Sequence, residues 1–252
     1  MMRFVSALGL FVIPAAMAMA AADFEDGLVL YYPFEGHGNE IDDVSGENNH
    51  GKLHTAEREA DGRWGRAIRF DEPSLGAEIP PSPSLLVEDG DDGFTVSFWV
   101  YPEEFDFNGE NRAIYRHQQY NVDLLVGRGR MEVRIGGAWK GTGLAPQLNT
   151  DEWHLVTAAW SPDDGSMLYR DGILATANAG AIGDIEEHAE TTFLAFMLGL
   201  PGYVGRMDDL RIYNRPLDED EVFELFDFEP GAQAISPEGS LATTWGAVRA
   251  TK

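Results

Sequence analysis

The stretch of sequence that decides the fold is FTVSFWVYP, which occupies residues 94–102. Apolar residues stand at every second position of this stretch, namely Phe94, Val96, Phe98 and Val100. The residues between and after them form a second set, namely Thr95, Ser97, Trp99 and Tyr101. Successive residues of a β-strand face opposite sides of the sheet, so this alternation predicts a strand whose first set faces a core. Trp99 and Tyr101 fall on the other side, where we expect them to be half exposed.

Similar period-two stretches recur along the chain and are separated by turns rich in Gly, Pro, Asn and Asp. They are residues 131–135, 153–160, 167–170, 173–177, 193–198 and 203–213. Asp171-Gly172 stands between two of them and is a strong β-hairpin signal. This pattern predicts an all-β fold, a two-sheet antiparallel jelly-roll sandwich.

One short helix is predicted near the end of the domain, over residues 218–226. Asp218 and Glu221 have the spacing of a capping box, and an apolar stripe follows them. After Phe228 a linker rich in Pro, Gly and Ser begins, so we predict a flexible C-terminal tail over residues 229–252. Two interpretations of the tail stay open. It is either a frayed end or a docking segment built on Leu241, Trp245 and Val248.

The first 22 residues have the pattern of a secretory signal. Arg3 gives this segment a basic start, and an apolar run over residues 4–16 follows it. The small residues after the run have the spacing of a signal-peptide cleavage site. We therefore expect a signal peptide over residues 1–22 and a domain over residues 23–228. The expected location is secreted, periplasmic or at the cell surface, with no membrane span after cleavage.

The composition narrows the classes of partner. The chain has 252 residues, 18 Lys and Arg against 43 Asp and Glu, a formal charge of −25, and no cysteine. Such acidity repels phosphates and argues against nucleic acid, while it favours cations, above all calcium, and neutral ligands such as glycans. The lack of cysteine excludes disulfides, thiolate zinc sites and cysteine nucleophiles. We expect a monomer.

Several pieces of the sequence, in order, resemble the laminin-G-like, concanavalin A-like jelly-roll family of exported bacterial proteins. The pieces are residues 31–36 (YYPFEG), 43–46 with Asn49 and Gly51, 65–71 (GRAIRFD), 94–102, 153–156, 168–172 and 205–217. The resemblance spans about residues 27–227. It implies a jelly-roll fold but says little about function, because this fold carries lectins, adhesins, spacers and enzyme appendages.

Acidic residues near both ends of the domain suggest a calcium site, since the first and last strands of a jelly roll lie close together. The alternation places Asp208 on the same face as Leu210 and Ile212, where a bare carboxylate is costly. Calcium binds carboxylate and carbonyl oxygens, and the family resemblance implies a structural calcium between these strands. The candidate ligands are Glu35, Asp43, Asn49 and Asp208. The alternatives are that Asp208 pairs with arginine or accepts backbone N–H bonds, and that Asp43 begins an Asx-turn.

A catalytic motif is the next candidate. Laminarinase-type glycosidases of this fold use alternating acids on one strand, and Glu104-Phe105-Asp106 begins such a motif. The turn Asn108-Gly109 then puts Glu110 out of register. We therefore predict no catalytic residues and no enzyme.

Ligand binding is the positive alternative, because sugars stack on aromatic rings and bond to amides. The candidates lie on or beside the central strands and are Tyr115, His117, Gln118, Gln119, Tyr120 and Trp139, although core packing is the competing interpretation for each aromatic. We therefore predict an exported, non-catalytic binding or adhesion module for a glycan or an extracellular protein, with a structural calcium. The alternatives are a glycoside hydrolase or lyase acting on polysaccharide in the concave face, and a structural surface spacer.

Overall fold

Two antiparallel sheets make up the domain in this computed structural model. It describes residues 25–71, 76–86, 92–104, 111–117, 120–125, 130–135, 147–179, 191–195 and 203–229. The strands of the first sheet are β1 (Leu28–Tyr32), β4 (Glu57–Glu59), β5 (Ala67–Phe70), β7 (Phe94–Pro102), β11 (His154–Ser161), β12 (Gly165–Arg170), β13 (Ile173–Asn178) and β15 (Gly205–Tyr213). Those of the second are β2 (Glu40–Ile41), β3 (Gly51–Leu53), β6 (Ala77–Ile79), β8 (Asn111–Arg116), β9 (Tyr120–Leu125), β10 (Arg130–Ile135) and β14 (Thr192–Leu194).

The strand order is that of a sandwich with many crossovers. The eight-stranded sheet runs β13-β12-β11-β7-β15-β5-β4, with β1 also paired to β15, and the seven-stranded sheet runs β10-β9-β8-β14-β6-β3-β2. A 3₁₀ turn covers Pro83–Leu85, and the helix α1 covers Glu219–Asp227. The predicted two-sheet antiparallel fold with one short C-terminal helix is confirmed. Among the described residues, no helix is long and apolar enough to cross a membrane.

Local signals explain the C-terminal helix and one of the hairpins. The Asp218 carboxylate accepts the N–H of Glu221, and the Glu221 carboxylate accepts the N–H of Asp218, so both halves of the capping box are formed. The predicted hairpin is also present. Asp171 and Gly172 have φ of 53° and 78°, the left-handed conformation that a two-residue hairpin turn requires.

The main core lies between the sheets, and the β7 alternation fills it as predicted. Phe94, Val96, Phe98 and Val100 are all buried in that cluster. A second cluster covers the outer face of the eight-stranded sheet. It comprises Trp99, Leu155, Ala159, Tyr169, Tyr213, Leu217, Val222 and Leu225. The helix α1 therefore packs on the outside of this sheet.

Trp99 differs from the sequence-based expectation. It was expected to be half exposed, but only 1% of it is accessible. Its ring stacks on Phe226 of α1 at 5.6 Å and meets Trp64 edge-on at 5.2 Å. Tyr101, two residues on, is partly exposed. The outer face of the eight-stranded sheet is thus covered at its centre by the helix and by the segment around Trp64.

The first and last strands pair directly, as expected for a jelly roll. Tyr31 of β1 lies opposite Arg211 of β15. On its other side β15 pairs with β7, and a β-bulge interrupts this pairing. The bulge shifts the register, so that Asp208 lies opposite Trp99 and Arg211 lies opposite Ser97. Asp209 occupies this bulge with φ of 56°.

The bulge corrects one prediction. Simple alternation put Asp208 on the face of Leu210 and Ile212, but the extra residue breaks the period. Met207, Leu210 and Ile212 face the main core. Cross-strand partners share a face, so Asp208 lies on the outer side with Trp99.

Candidate functional site

Two of the predicted metal ligands lie against one turn. The backbone N–H of Trp64 donates to Oδ2 of Asp208, and the N–H of Arg66 donates to Oε1 of Glu35, both at 3.1 Å. The glycines of this turn permit the close approach. A Cβ on Gly62 would lie 2.8 Å from Oδ2 of Asp208, and one on Gly65 would lie 2.0 Å from Oε1 of Glu35. The turn over residues 62–66 therefore brings carboxylates from both ends of the domain to one place.

The Asp208 carboxylate lies in an environment that disfavours its ionised form. It is 1% accessible, and this burial is the main reason that its pKa is raised to about 8. The neighbouring Asp209 and, more weakly, Glu35 raise the pKa further, while the N–H groups of Trp64 and Asp209 lower it. Glu35, by contrast, is exposed. Burial thus disfavours the ionised form of Asp208, and the two N–H groups offset this effect only in part.

Asp43 and Asn49, the other two predicted ligands, form a hydrogen-bonded turn. Oδ1 of Asp43 accepts the N–H groups of Tyr31 and Ser45, and Oδ2 accepts the N–H of Asn49 and the hydroxyl of Ser45. The Asn49 amide donates to the Val29 carbonyl and to Oγ of Ser84. This is the Asx-turn that the sequence analysis left open for Asp43, and it anchors the turn to β1.

The four predicted metal ligands therefore fall into two pairs. Asp208 and Glu35 share the turn over residues 62–66, whereas Asp43 and Asn49 share the turn beside β1. Within the described ranges, no group of three or more His, Asp or Glu residues is arranged to hold a metal ion. A cation at Asp208 and Glu35 would need most of its oxygen ligands from backbone carbonyls and water.

A buried ion pair next to Asp208 was not anticipated from the sequence. Nη1 of Arg211 lies 2.9 Å from Oδ2 of Asp209, and the two side chains are 4% and 3% accessible. The guanidinium of Arg211 also lies over the Tyr31 ring at 4.3 Å and near the Phe228 ring at 5.3 Å. Burial opposes the charge on Arg211, but the Asp209 carboxylate holds the pKa of Arg211 above its usual value. This pair is a structural link between β1, β15 and the end of α1.

The outer face of the seven-stranded sheet has a different character. Lys52 is exposed between buried neighbours, and Glu78 and Phe193 are partly exposed between buried neighbours. Pairing sets residues of all seven strands in one row, in the order Glu40, Lys52, Glu78, Phe193, Arg116, Asn121 and Arg134. Cross-strand partners share a face, so this row runs across the sheet with an aromatic residue at its centre. We call it the polar row.

The predicted ligand-binding residues occupy several environments. Tyr115 is fully buried in the main core, as in the competing interpretation of core packing. His117, at the end of β8, is 2% accessible, and burial lowers its pKa to about 4. Tyr120 begins β9 opposite Ile135. Gln118, Gln119 and Trp139 lie outside the described residues.

None of the seven residues of the polar row was among the predicted site residues. Phe193 stood within a predicted strand, but its lateral neighbours come from β6 and β8, more than 70 positions earlier in the chain. Period-two alternation indicates which residues face outward and cannot indicate which strands are adjacent. Of the rejected catalytic acids, Glu104 is exposed just beyond the end of β7, and Asp106 and Glu110 lie outside the described residues.

Solved structures with this fold include three domains with low sequence identity to the chain. The binding domain of Paraclostridial Mosquitocidal Protein 1 matches with a TM-score of 0.65 and 20% identity, over 80% of this chain and 52% of that chain. A second match is domain 4 of AbnA, a GH43 extracellular arabinanase from Geobacillus stearothermophilus, in complex with arabinotriose. Its TM-score is 0.60 and its identity is 20%, over 79% of this chain and 97% of that chain. The third is the binding domain of Botulinum neurotoxin DC, in complex with rat synaptotagmin II. Its TM-score is 0.64 and its identity is 13%, over 81% of this chain and 52% of that chain.

The chain spans about half the length of the two toxin binding domains, and at these identities the likeness concerns the fold alone. No curated protein matches the sequence. A family model does match. The laminin G model of the concanavalin A-like lectin/glucanases superfamily aligns with residues 76–223, which is more than half of the chain. Together with the two-sheet sandwich, this match shows that the chain belongs to the concanavalin A-like lectin/glucanases superfamily.

Proposed function

We propose that this chain is an exported, non-catalytic module that binds an extracellular glycan on the outer face of its seven-stranded sheet. The observation that carries the proposal is the polar row, in which partly exposed Phe193 lies between Glu78 and Arg116. The corresponding face of the other sheet is covered at its centre by α1. In the described part of the seven-stranded sheet, Lys52 is exposed on this face, and Glu78 and Phe193 are partly exposed.

The residue types of the polar row suit a sugar. An aromatic ring supplies a flat apolar surface against which a pyranose or furanose ring can pack. The carboxylates of Glu40 and Glu78 can accept hydrogen bonds from the hydroxyl groups of a sugar, and the ammonium group of Lys52 can donate to them. Glu78 is held in place, because its Oε2 lies 3.1 Å from Nε2 of His54. The strand spacing of about 4.8 Å sets these groups at regular intervals along an extended ligand.

Similar domains support a binding role. Domain 4 of the arabinanase was solved with arabinotriose, and the other two similar structures are binding domains of toxins. A second partner class, an extracellular protein, is represented by the synaptotagmin complex. The polar row favours the glycan, because its aromatic centre is flanked by hydrogen-bonding groups.

The proposed module is non-catalytic because the fold's hydrolytic motif is incomplete in the sequence. Retaining glycosidases need two carboxylates about 5 Å apart on one face. Glu104 stands past the end of β7, and the turn Asn108-Gly109 follows before Glu110. Export is proposed from the signal pattern of residues 1–22, and N-terminal sequencing of the secreted protein tests it.

We also propose that Asp208 and Glu35 hold a structural calcium ion. Their fit rests on geometry, because the buried Asp208 carboxylate and the Glu35 carboxylate both accept N–H groups of the turn over residues 62–66. Burial raises the pKa of Asp208 to about 8, and a calcium ion there would favour its ionised form and would tie β15 to this turn. In this proposal Asp43 and Asn49 organise their own turn and do not bind the ion.

A glycan array followed by calorimetric titration of the best ligand tests the binding proposal. Loss of an aromatic contact worth about 1–1.5 kcal/mol weakens binding roughly tenfold, so Phe193→Ala should raise Kd by about that factor. Phe223→Ala is the matched control, because Phe223 is an exposed aromatic on α1, away from this sheet. An array without any bound glycan, or equal binding by Phe193→Ala and wild type, would contradict the proposal.

A further inference from the structure

Residues 34–40, which lead from β1 to β2 and include Glu35, are wrapped around one arginine. Nη1 of Arg58 donates to the carbonyl of Phe34 at 2.7 Å. Its Nε donates to the carbonyl of Gly38 at 3.3 Å, and its Nη2 donates to that of Glu40 at 2.5 Å. These bonds engage the backbone, and even a Cβ added at Gly38 would meet nothing within 4 Å. The guanidinium, a planar fork of N–H groups, thus holds three carbonyl oxygens that converge as they would on a bound cation. We call residues 34–40 the crossover segment.

The hairpin of β4 and β5 supplies this arginine. Arg58 of β4 lies opposite Ile68 of β5, which faces the main core. Cross-strand partners share a face, so Arg58 lies on the inner side of the eight-stranded sheet. β4 is the last strand in the order of that sheet, and the crossover segment leads from β1 of that sheet to β2 of the other. The three bonds therefore fasten the crossover segment to one edge of the sandwich.

Phe34 shows how firmly the crossover segment is held. Its φ is 53°, a left-handed conformation that bulky residues seldom adopt and that persists only where the surroundings impose it. Its ring is 2% accessible and packs in the main core, while its carbonyl accepts the bond from Arg58. Because both the ring and the carbonyl are held, the direction in which the chain enters the next residue, Glu35, is fixed as well.

The same hairpin also contacts side chains of the crossover segment. The N–H of Arg66, just before β5, donates to Oε1 of Glu35, and Nη1 of Arg66 lies 3.2 Å from Nδ1 of His37. Burial and the charge of Arg66 lower the pKa of Arg58. The charges of Asp42 and Glu35 raise this pKa, which places the Glu35 carboxylate within electrostatic reach of Arg58. Glu35 is therefore held through its backbone by β4 and through its carboxylate by the residue before β5.

We infer that Arg58 is a positioning residue for the calcium site proposed above, on which this inference rests. Its guanidinium binds carbonyl groups of the crossover segment rather than the ion. By fixing that backbone, it keeps the Glu35 carboxylate at the turn over residues 62–66, where Asp208 also lies. Groups that orient the ligands of a metal ion commonly change the affinity for the ion about 10–100-fold when they are replaced.

Loss of charge and loss of positioning predict opposite effects of replacing Arg58. A guanidinium repels a nearby calcium ion, so removal of its charge by itself would lower the Kd for calcium. Loss of positioning would raise the Kd, and we expect Arg58→Ala to raise it about tenfold or more in a calorimetric titration. Arg58→Lys should also raise the Kd, because a compact ammonium group cannot serve the three carbonyls that a guanidinium spans. The lysine variant keeps the charge and the apolar stem, so it tests positioning even if Arg58→Ala fails to fold.

Arg170→Ala is the matched control. Arg170 also donates to a backbone carbonyl, that of Gln147 at 2.8 Å, but it lies on β12, on the far side of the eight-stranded sheet from β4. The calcium affinity of this variant should equal that of the wild type. Hydrogen exchange in the presence of chelator gives a second readout, since the amides of the crossover segment should exchange faster in both Arg58 variants and at the wild-type rate in Arg170→Ala.

The calcium titrations separate this inference from the proposal on which it rests. A raised Kd in both Arg58 variants, with wild-type affinity in Arg170→Ala, would support the positioning role. A Kd at or below the wild-type value in both Arg58 variants would overturn that role and leave the calcium site in place. A wild-type protein that binds no calcium would overturn the calcium site and this inference together.

Discussion

The backbone N–H of Trp64 donates a 3.1 Å hydrogen bond to Oδ2 of Asp208, although 144 positions separate the two residues. This bond crosses from the turn over residues 62–66 to the last strand, in a place where the carboxylate is almost wholly removed from water. The N–H groups of Trp64 and Asp209 offset only part of the cost of burying a charge, which is why the pKa of Asp208 stays raised. The proposed cation would act at this point of the fold.

Removing calcium should therefore lower the melting temperature. An ion that binds only the folded state adds about 2.7 kcal/mol of stability at a concentration 100 times its Kd. We expect thermal unfolding of the wild type to shift to lower temperature in excess chelator, and we expect Asp208→Asn to show no shift. Asp227→Asn, an exposed acid of α1, is the control and should respond like the wild type. Superimposable wild-type curves with calcium and with chelator would exclude a structural ion.

The two glycines Gly65 and Gly38 allow a matched test of how Glu35 is positioned. Both have a positive φ, 74° and 72°, so alanine is strained at either position by about 1–2 kcal/mol. Only at Gly65 would the new Cβ meet Glu35, while nothing lies within 4 Å of the one at Gly38. We expect Gly65→Ala to weaken calcium binding in a calorimetric titration and Gly38→Ala to leave it unchanged. Equal calcium affinities in the two variants would show that Glu35 is not a ligand.

Short-range signals in the sequence predicted the fold well. The β7 alternation, the Asp171-Gly172 turn and the Asp218 capping box each depend on residues within a few positions of one another, and all three are present. The pairing of the first and last strands followed from the jelly-roll topology that these signals indicated. Local rules suffice where the physical cause of an element is local.

The site was less predictable because its causes are not local. One extra residue at Asp209 moved Asp208 to the outer face, and no propensity of the flanking residues marks such a bulge. Trp99 is buried because a helix more than 100 positions later packs over it. The polar row depends on which strands are neighbours, so Glu78 and Phe193 could be placed in it only from the strand order.

His117 should make stability depend on pH in the acid range. Its pKa is about 4 in the folded state because of burial, compared with about 6.5 in an unfolded chain. Between these two pH values the unfolded state binds more protons than the folded state. The free energy of unfolding therefore has its full value above pH 6.5 and falls as the pH approaches 4, by at most about 3 kcal/mol. His117→Gln should flatten the urea-unfolding free energy across this window. His37→Gln changes an exposed histidine and should leave the pH dependence as in the wild type. An unchanged pH profile in His117→Gln would show that His117 does not cause the loss of stability in acid.

The buried pair of Asp209 and Arg211 gives the largest expected effect on stability. Arg211→Met would remove the cation 2.9 Å from Asp209 and leave a carboxylate that is 3% accessible without its partner. Breaking such a pair on one side costs about 3–5 kcal/mol, which urea unfolding would detect directly.

The double variant separates loss of the pair from loss of packing around Tyr31. Adding Asp209→Asn to Arg211→Met removes the uncompensated charge, and asparagine tolerates the positive φ of 56° at this position. Most of the lost stability should therefore return in the double variant. Arg63→Met, at an exposed arginine that also lies over aromatic rings, should cost less than about 1 kcal/mol. If the double variant were as unstable as Arg211→Met alone, the guanidinium would stabilise the fold by packing on Tyr31 and Phe228, and its charge would contribute little.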